Sequence, residues 1–419
     1  MKKICYLLLF VLFLCSAAGA KQVTLTYLMY VHHGNAYHQH IQDKAQAFER
    51  LNPGVKIDVI IGDHGKFDTM KMGGVAPDIF DLPDYAHLGP LGELVDLKPL
   101  LQRDGLLKAY NPTVLESISS ASGAIYTAPL YLSIAPTYFN RDLFAKAGLV
   151  TPDQLGTTWN WDTLFSYAKK LTVDADGDGT PESYGLDRPW GATWQHFVKQ
   201  AGGVFYEFDQ FMQPLKSMWN TPQVEQGVEF TTRFYREGLT PHLRPGVDQT
   251  AFYFWKGGTA INLGDALTII GVYLKDAPLE WDVALQPRGP QGPATSVGCA
   301  GPNILSSTEY IAEAWAFTKY LVANRENAED FSRATGLLAA LLSAQTAYPV
   351  VAGIRDKNVA AIFEQTLYPG PRSIGVLTRD LSPRYIDMTP VWSGRVPVRT
   401  HLEQIHSQTT AIIEQTRAR

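Results

Sequence analysis

Cysteine is nearly absent from this 419-residue chain: only Cys5, Cys15 and Cys299 occur. The first two fall in an N-terminal stretch that reads as a secretory leader. The processed chain then keeps one thiol and no partner for an intrachain disulfide, even in an oxidising compartment, so its core must hold the fold alone. Basic runs are also missing. The formal charge is −5, and it becomes −7 once Lys2 and Lys3 leave, which argues against nucleic acid as a partner. After the leader no stretch approaches the roughly 20 uninterrupted apolar residues of a membrane span. A nucleophile-elbow motif and a His-Glu-x-x-His zinc motif are both lacking.

What is present begins with that leader. Lys2 and Lys3, an apolar run over residues 4–14, and the small residues Ala18, Gly19 and Ala20 predict a signal peptide over residues 1–20 and export to the periplasm. A lipid anchor at Cys15 is the alternative, disfavoured because Leu14 stands where a lipoprotein signal wants a small residue. The remaining chain, about 400 residues, exceeds what one core serves, so two lobes are expected.

Residues 23–30 alternate like a strand. Tyr37, Ile41, Ala45 and Phe48 then share a helical face until Asn52, Pro53 and Gly54, and residues 55–61 make the next strand. Strand–helix–strand order implies a parallel sheet with a right-handed crossover. Residues 123–149 leave that lobe: Pro129 and Pro136 interrupt an apolar run, as suits a segment that changes sheets, and residues 131–137 read as an interdomain crossing. In open sheets ligands sit beyond the carboxyl ends of the strands. That marks His32, His33 and Asn35, then Asp63 and His64, then Asp81 and Asp84, unless these cap helices or face solvent. The histidines do not converge as metal ligands do, since His38 and His40 point to different sides of a helix, and solvated helix histidines are expected there. Ser306 with Glu309 reads as a capping box.

Asp174, Asp176, Gly177, Asp178, Gly179, Thr180 and Glu182 form a calcium-type loop, with carboxylates at positions 1, 3 and 5 and glycine at 6 for the turn. Position 12, a bidentate glutamate in an EF-hand, is Gly185, so Glu182 or a residue from elsewhere has to complete the shell. A structural calcium on Asp174, Asp176, Asp178, Thr180 and Glu182 is one expectation; a hydrated acidic turn is the other.

Gly123, Tyr126 and Pro129, then Phe139, Asn140, Leu143, Phe144, Ala147, Gly148 and Leu149, resemble a signature of extracellular solute-binding proteins of the sugar-binding kind. These are the receptors of ABC importers, such as the maltodextrin- and multiple-sugar-binding proteins. The resemblance recurs in order through Phe48, Asn52, Pro53, Val55 and Val59, through Gly74, Ala76, Pro77, Asp78 and Ile79, and through Thr158, Trp159, Trp161, Asp162 and Leu164. It implies a two-lobed α/β periplasmic-binding-protein fold, each lobe a mostly parallel sheet flanked by helices, with the ligand cleft between them. Residues 21–132 and 299–335 would make the N-terminal lobe, and 136–298 with 336–419 the C-terminal lobe, joined by crossings near 131–137, 296–302 and 333–340.

The same resemblance implies a carbohydrate ligand, hinge closure, delivery to an ABC permease in the inner membrane, a monomer, and no catalysis. Sugar rings pack their C–H faces on aromatic planes, which nominates Trp190, Trp194, Trp255 and Trp392 as platforms beside Tyr131 on the crossing, unless Trp194 belongs with Phe197 to a buried helix face and Trp255 to the core. His33, Asn35, Asp81 and Asp84 complete the expected set, with Asp265. The chain departs from the pattern twice. Relatives often carry Gly-x-Trp where this chain has Gly264, Asp265 and Ala266, so that stacking residue is absent and Asp265 is expected to offer a charged or hydrogen-bonded contact instead, and Ala339 stands where a crossing proline is usual. Rival expectations are a secreted hydrolase using Asp81 and Asp84 as paired carboxylates, and a sensor that docks to a membrane receptor.

Overall fold

The computed structural model describes residues 22–82, 85–120, 122–188, 193–209, 213–295, 297–368, 380–383 and 385–417. The leader, Asp84 and Trp190 lie outside them.

Strand β1 (Val23–Tyr30) buries Leu25, Tyr27, Leu28 and Met29. Helix α1 (Asn35–Leu51) follows and turns Tyr37, Ile41, Ala45 and Phe48 inward, as the spacing requires. Its histidines correct the expectation of solvated side chains. His38 is buried with Nε2 2.9 Å from the Tyr30 carbonyl, and His40 is buried edge-on to Phe331. β2 (Val55–Gly62) pairs in parallel with β1 over its whole length, and β3 (Ile79–Phe80) pairs in parallel on the other side.

The chain then passes through β4 (Tyr131–Ile134) into β5 (Thr137–Asn140). Beyond it helix α2 (Trp161–Leu171) starts where the Asn160 side chain accepts from Thr163 N–H, and it buries Leu164, Phe165, Ala168 and Leu171. β6 (Tyr184–Leu186), β7 (Thr259–Asn262) and β8 (Trp281–Ala284) complete a second sheet in the order β8-β5-β7-β6. This sheet is not mostly parallel. Only β6 and β7 run together, because β5 arrives from the crossing against the direction of both β7 and β8.

β9 (Val297–Ala300) returns from the second sheet, and β10 (Asn303–Ile304) closes the first one antiparallel to β3. The expected capping box is not formed: the Ser306 hydroxyl donates to the Gly92 carbonyl, and the next helix begins at Ile311. Helix α3 (Arg325–Thr335) packs on α1, where Lys44 lies 2.7 Å from Asp330, and leads into β11 (Leu338–Ala339).

The three segments that change sheets pair with one another, β9 and β11 each antiparallel to the central β4. Buried side chains finish the joint. The Gln286 amide donates to the carbonyls of Ala135 (2.9 Å) and Leu263 (2.8 Å), and the Thr295 hydroxyl donates to Ala135 as well. One apolar cluster runs from Leu25 through Leu132 and Cys299 to Tyr138, Leu267 and Trp281, so both lobes share a core at the crossing.

Gly301 is required where two crossings touch, because a Cβ there would lie 2.1 Å from the Ala128 carbonyl oxygen. Gly301→Ala should cost about 1–3 kcal/mol by urea unfolding, as overpacking against backbone does, while Gly54→Ala, which meets nothing within 4 Å, should stay within about 0.5 kcal/mol of the parent. Equal midpoints for the two variants would contradict the close approach.

Candidate ligand-binding site

The carboxyl end of β1 and the start of α1 build the first wall. Asp81, just past β3, is 3 % exposed and accepts from the hydroxyls of Tyr27 (3.0 Å) and Tyr37 (2.8 Å) and from Tyr30 N–H (2.6 Å). His33 Nε2 lies 3.4 Å from the same carboxylate. Burial, followed by the charge of Asp81, pushes both phenols well above their ordinary range, so they remain donors. Asp81 therefore organises the wall and spends its oxygens inside the protein. The half-buried His33 ring stacks on Tyr37 at 4.2 Å, and both meet Tyr131 edge-on at 6.2 Å. Tyr131 stacks in turn on Phe331 of α3. Tyr37, which its spacing marks as core, is 1 % exposed and supports the His33 ring from behind.

The second wall gathers around Arg188, which follows β6. Its guanidinium lies 3.0 Å from Asp265 and 3.4 Å from Asp187, and it covers the rings of Tyr253 (4.6 Å) and Trp255 (5.4 Å). Trp255 stacks almost flat on the exposed Tyr273, at 4.3 Å and 11°. Trp255 and Asp265, both expected, are thus brought together by a residue that was not. Arg188 and Asp265 are 77 positions apart, and no local signal connects them. Asp187 is pushed up to about 6 by burial, with Arg188 opposing the shift and Asp265 adding to it. The walls meet through two glycines: Gly271, two residues before Tyr273, packs against Gly336 (φ +73), which ends the helix carrying Phe331.

Other expected residues lie elsewhere. Trp194 is 2 % exposed, packed between Phe205, Trp219 and Trp392, which makes it core and not a platform. Trp392 is half-buried and stacks flat on Tyr235 at 5.2 Å. Asn35 is exposed at the start of α1, and Asp63 caps the following helix by accepting from Lys66 N–H. Asp84 and Trp190 fall outside the described residues.

The acidic loop brings carboxylate oxygens of Asp174, Asp176 and Glu182 within 4.8 Å of one another, all exposed. Asp178 and Thr180 are not in that trio; Asp178 instead accepts from Thr180 N–H. Gly185 at the twelfth position cannot be a glutamate here, because a Cβ would sit 2.2 Å from the Ala168 carbonyl of α2.

A family model described as bacterial extracellular solute-binding protein matches residues 34–328. The chain belongs to this family. A maltooligosaccharide ABC transporter solute-binding lipoprotein of Streptococcus pneumoniae is 30% identical over 123 residues, a match that spans 28% of each chain and so under a third of that relative's length. Among solved structures, an ABC substrate-binding protein from Listeria monocytogenes in complex with cycloalternan has a TM-score of 0.75 at 21% identity, covering 95% of this chain and 99% of the other. A maltose/maltodextrin-binding domain from Bdellovibrio bacteriovorus bound to maltotriose has a TM-score of 0.71 at 18% identity, covering 95% and 100%. The solute-binding protein thus has the two-lobed fold of these structures, and family membership gives an extracytoplasmic location. No helix among the described residues is long and apolar enough to cross a membrane.

Two buried histidines, His40 and His196, and the half-buried His242 should give this solute-binding protein an acid response. Burial lowers His40, His196 and His242 to about 4, so they are neutral when folded while the unfolded chain takes up protons near pH 6.5. Their contribution is present above about pH 6.5 and lost as pH falls towards 4; the raised Asp187 acts in the opposite sense, helping folding below about 6. Three against one, the melting temperature should fall between pH 7 and 4.5, and His196→Gln should flatten the slope. A melting temperature that is constant across that window would contradict the assignment.

Proposed function

We propose that this protein is the carbohydrate receptor of an ABC importer, working as a monomer in the periplasm after its leader is removed. It binds its ligand between the lobes without altering it and presents it to the permease. The observation that carries this reading is the pairing of the half-buried Trp255 and the exposed Tyr273 with charged hydrogen-bonding groups in the second wall, Arg188 and Asp265. A sugar needs both, an apolar plane for its C–H face and donors and acceptors for its hydroxyls. The maltooligosaccharide, cycloalternan and maltotriose named for the relatives support the same class. Asp81 has a hydrogen bond on each oxygen from within the protein, which disfavours it as a hydrolytic acid or base.

Calorimetry against a panel of neutral oligosaccharides, monosaccharides and polyols tests this. At least one should bind, and Trp255→Ala and Arg188→Gln should each weaken it about tenfold or more, the order of one lost aromatic or charge-assisted contact. Tight binding of an amino acid or polyamine, with no sugar bound, would sink the proposal.

The acidic loop is proposed to hold a structural calcium on Asp174, Asp176 and Glu182, bracing the second lobe away from the ligand. Hard oxygen donors on a glycine-rich turn fit that ion. Calcium at about 100 times its Kd would add about 2.7 kcal/mol to folding. Chelator should therefore lower the melting temperature, calcium restore it, and Asp176→Ala abolish the response. A melt indifferent to chelator would leave the loop a hydrated turn.

A further inference from the structure

Asp187 is 2 % exposed and lies directly behind the second wall, at the end of β6. Its carboxylate accepts from Arg188 N–H (2.7 Å), Phe254 N–H (3.1 Å) and the Asn262 side-chain amide (3.0 Å), with Arg188 Nε at 3.4 Å. Every donor leads to the wall. Phe254 sits between Tyr253 and Trp255. The same Asn262 nitrogen donates to Asp265 at 2.6 Å, and the Asn262 side-chain oxygen Oδ1 accepts from the backbone N–H groups of Gly264 and Asp265. The Arg188–Asp265 pair at 3.0 Å closes the ring. The backbone is tied as well: Asp187 N–H donates to the Ile261 carbonyl at 2.8 Å, and the Asp187 carbonyl accepts from the Thr240 hydroxyl at 3.1 Å.

We propose that Asp187 is the positioning residue of the second wall, sealed from the ligand and fixing Arg188, Asp265 and the Tyr253–Trp255 rings in one arrangement before a ligand arrives. Burying a carboxylate costs more than burying an apolar side chain of its size, so packing alone does not account for it. A hub that satisfies donors from three chain segments does what an apolar residue cannot: it gives the wall a single geometry. This rests on the second wall being a ligand wall, as proposed above.

The test uses the processed full chain and Asp187→Asn, which keeps the volume and one acceptor oxygen. First, without ligand, the Arg188 Nε–H resonance should exchange slowly with water in the parent and become fast-exchanging in Asp187→Asn, while thermal unfolding stays cooperative. Second, with maltotriose and the sugar panel, Asp187→Asn should lose about tenfold in affinity, and Asp187→Asn/Arg188→Gln should lose less than the two single losses combined, since Asp187 acts in part through Arg188. An unchanged Arg188 resonance in the variant, or additive losses in the double variant, would overturn the proposal. If Asp187→Asn does not fold, fast exchange in the parent itself overturns it and slow exchange supports it. If the parent binds no sugar, the carbohydrate reading fails, and the resonance still decides the positioning role.

Discussion

Leu132 is paired on one side with Cys299 and on the other with Leu338, so three distant stretches of chain meet across one residue at the middle of the molecule. Everything that distinguishes the two lobes follows from that small sheet. The chain leaves the first sheet along β4, comes back along β9 and leaves again along β11, so neither lobe is built from continuous sequence. Ladder hydrogen bonds between the crossings satisfy backbone that is buried among apolar side chains, where an unpaired group would be costly. The amide of Gln286 and the hydroxyl of Thr295 do the same for Ala135, whose carbonyl no ladder reaches first. A joint of this kind has a narrow set of permitted motions: the lobes can pivot about the strands, but they cannot slide along them without breaking register.

The structure also accounts for two departures from the family pattern. Ala339 stands in place of a proline and uses the N–H that proline lacks, donating to the Ser332 hydroxyl at 3.3 Å while its register partner is Tyr131. Ala266 stands where a stacking tryptophan is common, and the neighbouring Asp265 holds Arg188, whose guanidinium lies over Tyr253 and Trp255. The second wall thus keeps an aromatic surface but draws it from the turn before β7 and from Tyr273.

Much of the fold was legible in the sequence because its signals are local. The alternation of residues 23–30, the helical face of Tyr37, Ile41, Ala45 and Phe48, and the prolines flanking the first crossing all report on structure within a few residues. Strand direction in the second sheet was not legible, since it depends on where β5 enters and not on any residue within it. The site was legible in part for the same reason. Trp255 and Asp265 were identifiable by type, but Arg188 joins the candidate wall only through distant partners, Asp265 at 77 residues directly and Phe254 by way of Asp187, which lies 67 residues from it. Trp194 looked like a platform because tryptophan often is one, yet Phe205, Trp219 and Trp392, from three other parts of the chain, enclose it. His38 and His40 were misjudged as solvated because helical spacing does not report that α3 and the end of β1 cover that face.

The central claim is that one ligand is held by both lobes, by His33 and Tyr131 on one side and by Arg188, Trp255 and Asp265 on the other. Hydrogen–deuterium exchange with the tightest sugar found by calorimetry addresses it most directly. Saturating ligand should slow exchange in peptides spanning residues 30–38 and 128–136 and, together with them, in peptides spanning 185–188 and 252–275. Protection confined to one lobe, with the other exchanging as in the free protein, would contradict closure of the two walls around a shared ligand.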